Sequence, residues 1–134
     1  MNNPLRHFVM ILLLCLSVAT TATAQNKIDK QMEQISTVGS ATFTSAVERD
    51  PVTRQVLKVV KVLKIRGNAA DKLYKAFMDE RDSGSFTEQK TEQERTLTLT
   101  CETEAQVRIY MLHLTGHSYL DAQCTVIIKN KPKR

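Results

Sequence analysis

TLTLTCETEAQVRIYMLHLTGHSYLDAQCTVIIK, residues Thr96–Lys129, alternates apolar and polar side chains in three runs separated by turn residues. That is the pattern of an antiparallel meander. A two-residue turn at Gly116-His117 pairs Thr115 with Ser118, and so sets Val107 opposite Val126, Ile109 opposite Cys124 and Met111 opposite Ala122. A three-residue turn at Thr103-Glu104-Ala105 then sets Leu99 against Ile109 and Leu97 against Met111. Side chains alternate along a strand, so these residues share a face. The expected core face carries Leu97, Leu99, Val107, Ile109, Met111, Ala122, Val126 and Ile128.

In the same register the opposite face gathers Tyr110, Leu112, Leu114, Tyr119 and Ile127 among Thr96, Thr98, Thr100, Arg108, Asp121 and Gln123. Left in water, that apolar and aromatic cluster is a candidate partner surface. Covered by an N-terminal helix or a second layer, it is ordinary core.

Upstream, Asn68–Asp82 is the clearest helix. Asn68 serves as cap, Asp71 stands in the capping-box position, Leu73 and Phe77 stack one turn apart, and Gly84 ends it. Asn26–Ser36 is a shorter amphipathic helix with Ile28, Met32 and Ile35 on one side, ended by Gly39. Ala41–Arg49 reads as a strand, and Asp50-Pro51-Val52-Thr53 as a type I turn with proline already set at its second position.

Val56–Ile65 (VLKVVKVLKI) carries Lys58, Lys61 and Lys64 at intervals of three. On a helix they would form one basic stripe suited to a membrane surface. The β-branched content and the preceding strand and turn favour a strand instead, with Lys58 and Lys64 leaving one face and Lys61 the other. Glu88–Arg95 has almost no apolar residue and reads as an exposed hairpin or loop. The pieces make an α+β domain: a short N-terminal helix, a β-hairpin, then a longer helix packed on an antiparallel β-meander.

The first residues read as a targeting segment. Arg6 precedes an unbroken apolar run, Phe8–Ala19, and Ala22-x-Ala24 before Gln25 forms a signal-peptidase site. The run is about a dozen residues, short of the roughly 20 a spanning helix needs. Cys15 follows Leu14 rather than a small residue, which argues against a lipoprotein. The expected division is a signal peptide over 1–24, one domain over 25–128 and a basic tail over 129–134. Cleavage places the protein in the periplasm or outside the cell.

The chain has 134 residues and a net charge of +5, reduced to +4 when Arg6 leaves. That mild excess does not argue for nucleic acid, and no second apolar run reaches spanning length. The absence of tryptophan argues against an aromatic sugar-binding platform. The mature cysteines, Cys101 and Cys124, fall on the first and third meander strands, about 9.6 Å apart laterally. Bridged cysteines stand no more than about 7 Å apart, so this register favours free thiols. A disulfide would require another strand order.

Catalytic patterns are absent from the sequence: no nucleophile elbow, no Ser-x-x-Lys, no phosphate or dinucleotide loop. His113 and His117 would converge on a metal if they lay on a helix. On a strand and its turn they do not, and His113 is expected at the core edge opposite Leu120. The carboxylates Glu48, Asp50, Glu102, Glu104 and Asp121 sit in turns and on solvent faces, which implies no tuned acid–base pair. The chain is read as non-enzymatic, without cofactor or metal.

AVERDPxTRxVxKVVKVL (Ala46–Leu63), followed by ADKLxKAF (Ala70–Phe77), resembles a family of small exported proteins of gut Bacteroidetes known only as a domain of unknown function. The resemblance spans most of the mature chain, with ERDPxTR its specific part, and implies envelope export and a small α+β domain. It lends no catalytic residues. The cysteines and the acidic 88–95 segment depart from it.

The expected function is recognition of another protein in the envelope or outside the cell, through Tyr110, Leu112, Leu114 and Tyr119 or through the turn bearing Arg49 and Arg54. That turn also has a purely local reading, with Glu48 and Arg54 as cross-strand partners and Asp50 accepting turn hydrogen bonds. The alternative function is a small-ligand or anionic-surface binder using Lys58, Lys61, Lys64 and the tail, and a hydrolase without recognisable motifs stands third.

Overall fold

The computed structural model describes residues 26–132. The leader with its Ala22–Ala24 site, and Lys133 and Arg134 of the tail, lie outside the described residues. The elements are helix α1 (Lys27–Ser36), strands β1 (Thr42–Arg49) and β2 (Val56–Arg66), helix α2 (Asn68–Glu80), a 3-10 turn (Arg81–Ser83), and strands β3 (Ser85–Lys90), β4 (Glu94–Glu102), β5 (Gln106–Thr115) and β6 (Asp121–Asn130). The expected α+β class holds.

All six strands join one antiparallel sheet in the order β1-β2-β6-β5-β4-β3. The hairpin and the meander are therefore one surface, zipped together by the ladder between β2 and β6. β2 carries apolar residues on both faces, Leu63 and Ile65 toward the helices and Val60 and Val62 away from them, which accounts for its near-continuous valine and leucine run. Lys58 and Lys64 leave one face and Lys61 the other. The 88–95 segment resolves as a hairpin, with Ser85–Lys90 paired to β4.

Both helices pack on the same sheet face. Ile28, Met32 and Ile35 of α1 join Ala70, Leu73, Ala76 and Phe77 of α2 over Leu63, Ile65, Leu97, Leu99, Tyr110, Leu112, Leu114, Ala122, Cys124 and Val126. The helices run antiparallel: the Lys27 amide donates to Glu80 Oε1 at 3.2 Å, and Lys27 Nζ meets Asp79 Oδ2 at 3.3 Å. α1 opens on a full capping box, Asn26 Oδ1 accepting from the Asp29 amide at 2.9 Å.

The helix ends differ from expectation. α1 stops at Ser36, with Thr37 as its cap, not at Gly39. α2 is capped by Gly67 at φ +86°, so Asn68 is its first helical residue, and Asp71 pairs with Lys75 at 3.2 Å instead of closing a capping box. Gly84 serves close packing, because a Cβ there would lie 2.3 Å from the Thr100 carbonyl oxygen.

The main correction is the register of β5. The β5–β6 connection is not two residues but the five-residue span Gly116–Leu120, which contains a 3-10 turn. Thr115 therefore meets Asp121, Tyr110 meets Val126, Leu112 meets Cys124 and Leu114 meets Ala122. On the other side the turn is four residues, so Leu97 meets Leu112 and Leu99 meets Tyr110. Thr103 holds that turn by accepting from the Gln106 amide at 3.2 Å. Both shifts are odd, and an odd shift exchanges the faces of a strand. Of the three meander strands, β5 alone is turned over.

The exchange can be measured. Leu112→Ala removes a side chain that is fully buried, and unfolding by urea should show a loss of about 3 kcal/mol. Met111→Ala, on the other face, should cost less than about 1 kcal/mol. The meander as read from sequence requires the reverse order.

Candidate functional site

With both helices on one side, the other sheet face has no cover among the described residues. Its centre is apolar. One cross-strand row aligns Ala46, Val60, Ile127 and Ile109, and the next brings Val62, Thr125, Met111 and Thr98 together. Val60, Val62, Ile109, Met111 and Ile127 are each half-buried only by their own neighbours. Threonines close one flank, with Thr96, Thr98 and Thr100 on β4 opposite His113, Met111 and Ile109. Lysines close the ends: Lys58 sits opposite Lys129, and Lys64 opposite Gln123. This is a flat apolar patch rimmed by hydroxyls and cations.

The second sheet face expected from the sequence is this one, with Thr96, Thr98, Thr100, Gln123 and Ile127 on it, but its β5 residues are exchanged. Tyr110, Leu112 and Leu114 are core residues, 1%, 0% and 3% exposed, because β5 is turned over. Tyr119 is half-buried at the far end of the sheet. The Arg95 guanidinium lies 5.3 Å from its ring and 4.9 Å from that of Tyr74, and its hydroxyl donates to the Thr91 carbonyl at 3.0 Å. The residues brought together with Ile127, which the sequence already assigns to this face, are Ile109 and Met111, expected in the core, and Val60 and Val62, which the sequence reading leaves unassigned. The available signal was β5 itself, apolar on both faces, and β2, likewise.

Arg49 and Arg54 stay exposed at the β1–β2 turn. Arg49 donates to the Arg54 carbonyl at 3.1 Å, and Arg54 holds φ +65°. Glu48 faces Lys58, not Arg54, which corrects the expected cross-strand pair. Asp50 does accept turn hydrogen bonds, from the Val52 and Thr53 amides at 2.8 and 2.9 Å. The bonds from Thr53 first and then Val52 hold its carboxyl below the usual range. His113 is on the open face, not at the core edge against Leu120. Its Nδ1 lies 3.3 Å from Thr96 Oγ1, and Gln123 is its partner on β6. Lys129 and Asn130 belong to β6, and Lys131 pairs with Glu102 at 2.6 Å, so the domain runs past the expected boundary at 128.

The densest polar cluster lies under α1. Asp29 Oδ2 accepts from the Tyr110 hydroxyl at 3.0 Å and from Arg108 at 3.3 Å, while Arg108 Nε donates to Gln106. Burial pushes the Tyr110 phenol up to about 12, with Arg108 opposing only part of the shift. Burial also pushes the Cys124 thiol far up, and the Asp29 carboxylate adds to it. Cys101 and Cys124 are both free and lie on strands separated by β5. A carboxylate, a guanidinium and a phenol so arranged dock a helix on a sheet. Surface depressions lie elsewhere, beside Gln55 and Glu104, beside Lys64 and His113, and along the Gly116–Tyr119 turn. Among the described residues, no three His, Cys, Asp or Glu side chains come together as a metal would need.

Comparison with protein-family models and with curated proteins finds no match to this chain. Among the described residues, no helix is long and apolar enough to cross a membrane.

Two outcomes follow from the buried cluster. A thiol reagent added to the native protein should modify Cys101 and spare Cys124 until denaturant is added, as peptide mass spectrometry would show. The raised Tyr110 value favours the protonated folded state, so its contribution is complete below the ordinary value of 10.0 and is lost as pH rises from there through about 12. Urea midpoints across that window should fall more steeply for the wild type than for Tyr110→Phe.

Proposed function

We propose that the protein is an exported, non-enzymatic domain that binds another protein through the uncovered face of its sheet. The observation that carries this reading is the half-buried apolar patch Val60, Val62, Ile109, Met111 and Ile127, over which no element packs among the described residues while two helices crowd the opposite face. Antiparallel sheets with one solvated face usually present polar side chains there. Apolar residues at the centre with threonine and lysine at the rim match the anatomy of a recognition surface. Export is supported by the Arg6, Phe8–Ala19 and Ala22–Ala24 pattern, and by the resemblance to small exported Bacteroidetes proteins.

The second reading, an anionic-surface or small-ligand binder, draws on the adjacency of Lys58 and Lys129. Lys61 leaves the other face, so Lys58, Lys61 and Lys64 do not form one basic surface, and the protein-binding reading is the stronger.

The test is affinity capture from the envelope of the producing cells with purified protein, beside Met111→Glu and Lys58→Glu variants that keep the wild-type circular dichroism. Retention of one defined protein, reduced at least about tenfold by Met111→Glu and little changed by Lys58→Glu or by added salt, is the expected result. Loss with Lys58→Glu and with salt would favour the anionic reading. Equal retention by wild type and Met111→Glu would remove the sheet face from consideration.

A further inference from the structure

β1 is the longer edge of the sheet and the less protected one. All eight of its residues are exposed, and Thr42–Val47 contains neither a charge nor a proline. Those are the devices that normally keep an edge strand from accepting another strand. The opposite edge, β3, is six residues long and carries Glu88 and Lys90. The large apolar residues of β1, Phe43 and Val47, lie on the helix side but beyond the helices' cover: they are 41% and 51% exposed, and nearby Leu57 is 39% exposed. They continue rows of the core, Phe43 beside Leu63 and Val47 beside Val59.

We propose that β1 pairs antiparallel with β1 of a second copy, joining two six-stranded sheets into one. A two-fold axis perpendicular to the sheet keeps both helix layers on one side, so residues that meet must point to the same face. With Ser45 on the axis, Phe43 meets Val47 of the second copy and Val47 meets its Phe43. An apolar row then runs Leu63, Phe43, Val47, Val59 through the junction, twice over. With Ala46 on the axis instead, Phe43 would meet Arg49 and Val47 would meet Ser45, so the Ser45-centred register is the self-complementary one. Charge agrees with it on the open face. Glu48, already opposite Lys58, comes to lie opposite Thr42 of the second copy, whose own neighbour is Lys64. One carboxylate then stands between two lysines.

The experiment is oxidation of purified Ser45→Cys protein with the linkage read by peptide mass spectrometry, beside sedimentation velocity over a range of concentrations. On the axis, paired Cα atoms stand about 4.5–5.5 Å apart, within disulfide reach. Residue 44 lies about 8 Å from its own counterpart. A 45–45 link should therefore form several-fold more readily than the 44–44 link of Thr44→Cys. The wild type should pass from monomer to dimer with rising concentration, and Phe43→Lys combined with Val47→Lys should remain monomeric with unchanged circular dichroism. Both substitutions fall at exposed positions, so the core is left in place. A wild type that is monomeric throughout, a 45–45 link no more abundant than 44–44, or a dimer that survives the double lysine change would each overturn the pairing.

Discussion

Two short helices have to cover a six-stranded sheet, and most features of the molecule follow from that mismatch. Helices of 10 and 13 residues are about 15 and 20 Å long. Six strands span about 24 Å between the outermost pair, and a strand the length of β2 extends about 36 Å. One face can be covered only over its middle, and the other not at all. The covered middle is where Leu63, Leu97, Leu99, Tyr110 and Leu112 are sealed from water. At the β1 margin of the same face, Phe43 and Val47 are left out. The far face leaves its valines, isoleucines and methionine only half-buried, by one another.

What fixes the shorter helix in place is one carboxylate used three ways. Asp29 completes the capping box of α1, takes the Tyr110 hydroxyl and meets the Arg108 guanidinium. A local helix-start signal thus becomes a tertiary link to β5. The Asp29 side chain is 11% exposed, and hydrogen bonds to a charged acceptor so placed are stronger than surface pairs. The link also explains why Tyr110, with its polar tip, faces inward. Its hydroxyl has a partner waiting on the helix.

Much of the fold was legible in the sequence. The strand at 42–49, the proline turn, the reading of VLKVVKVLKI as a strand and both helices stand within a few residues of where pattern placed them. The face of β5 was not legible, for a physical reason. QVRIYMLHLT offers Val107, Ile109 and Met111 to one side and Tyr110, Leu112 and Leu114 to the other, so hydrophobicity alone cannot choose between them. The choice is made by the turns. Ser118 and Tyr119 adopt positive φ at 62° and 56° in a five-residue loop, a conformation uncommon for either residue type and unmarked by composition. Because β5 runs through the middle of the candidate site, turning that strand over exchanges Tyr110, Leu112 and Leu114 for Ile109 and Met111 on the open face, while Thr96, Thr98, Thr100 and Ile127 stay where the pattern puts them. Lys58 and Lys64 keep their places, because the choice of strand over helix for Val56–Ile65 settles which face each leaves.

The last strand among the described residues, β6, occupies the middle of the sheet. β6 joins the β1–β2 hairpin to the β3–β4–β5 meander, and its ladder with β2 pairs Lys58 with Lys129 across half the length of the protein. During synthesis the two halves can each form hairpins, but the sheet cannot close until residue 130 has emerged. A product truncated before Asp121 would present β2 and β5 as two raw edges, an aggregation hazard and a substrate for proteolytic quality control.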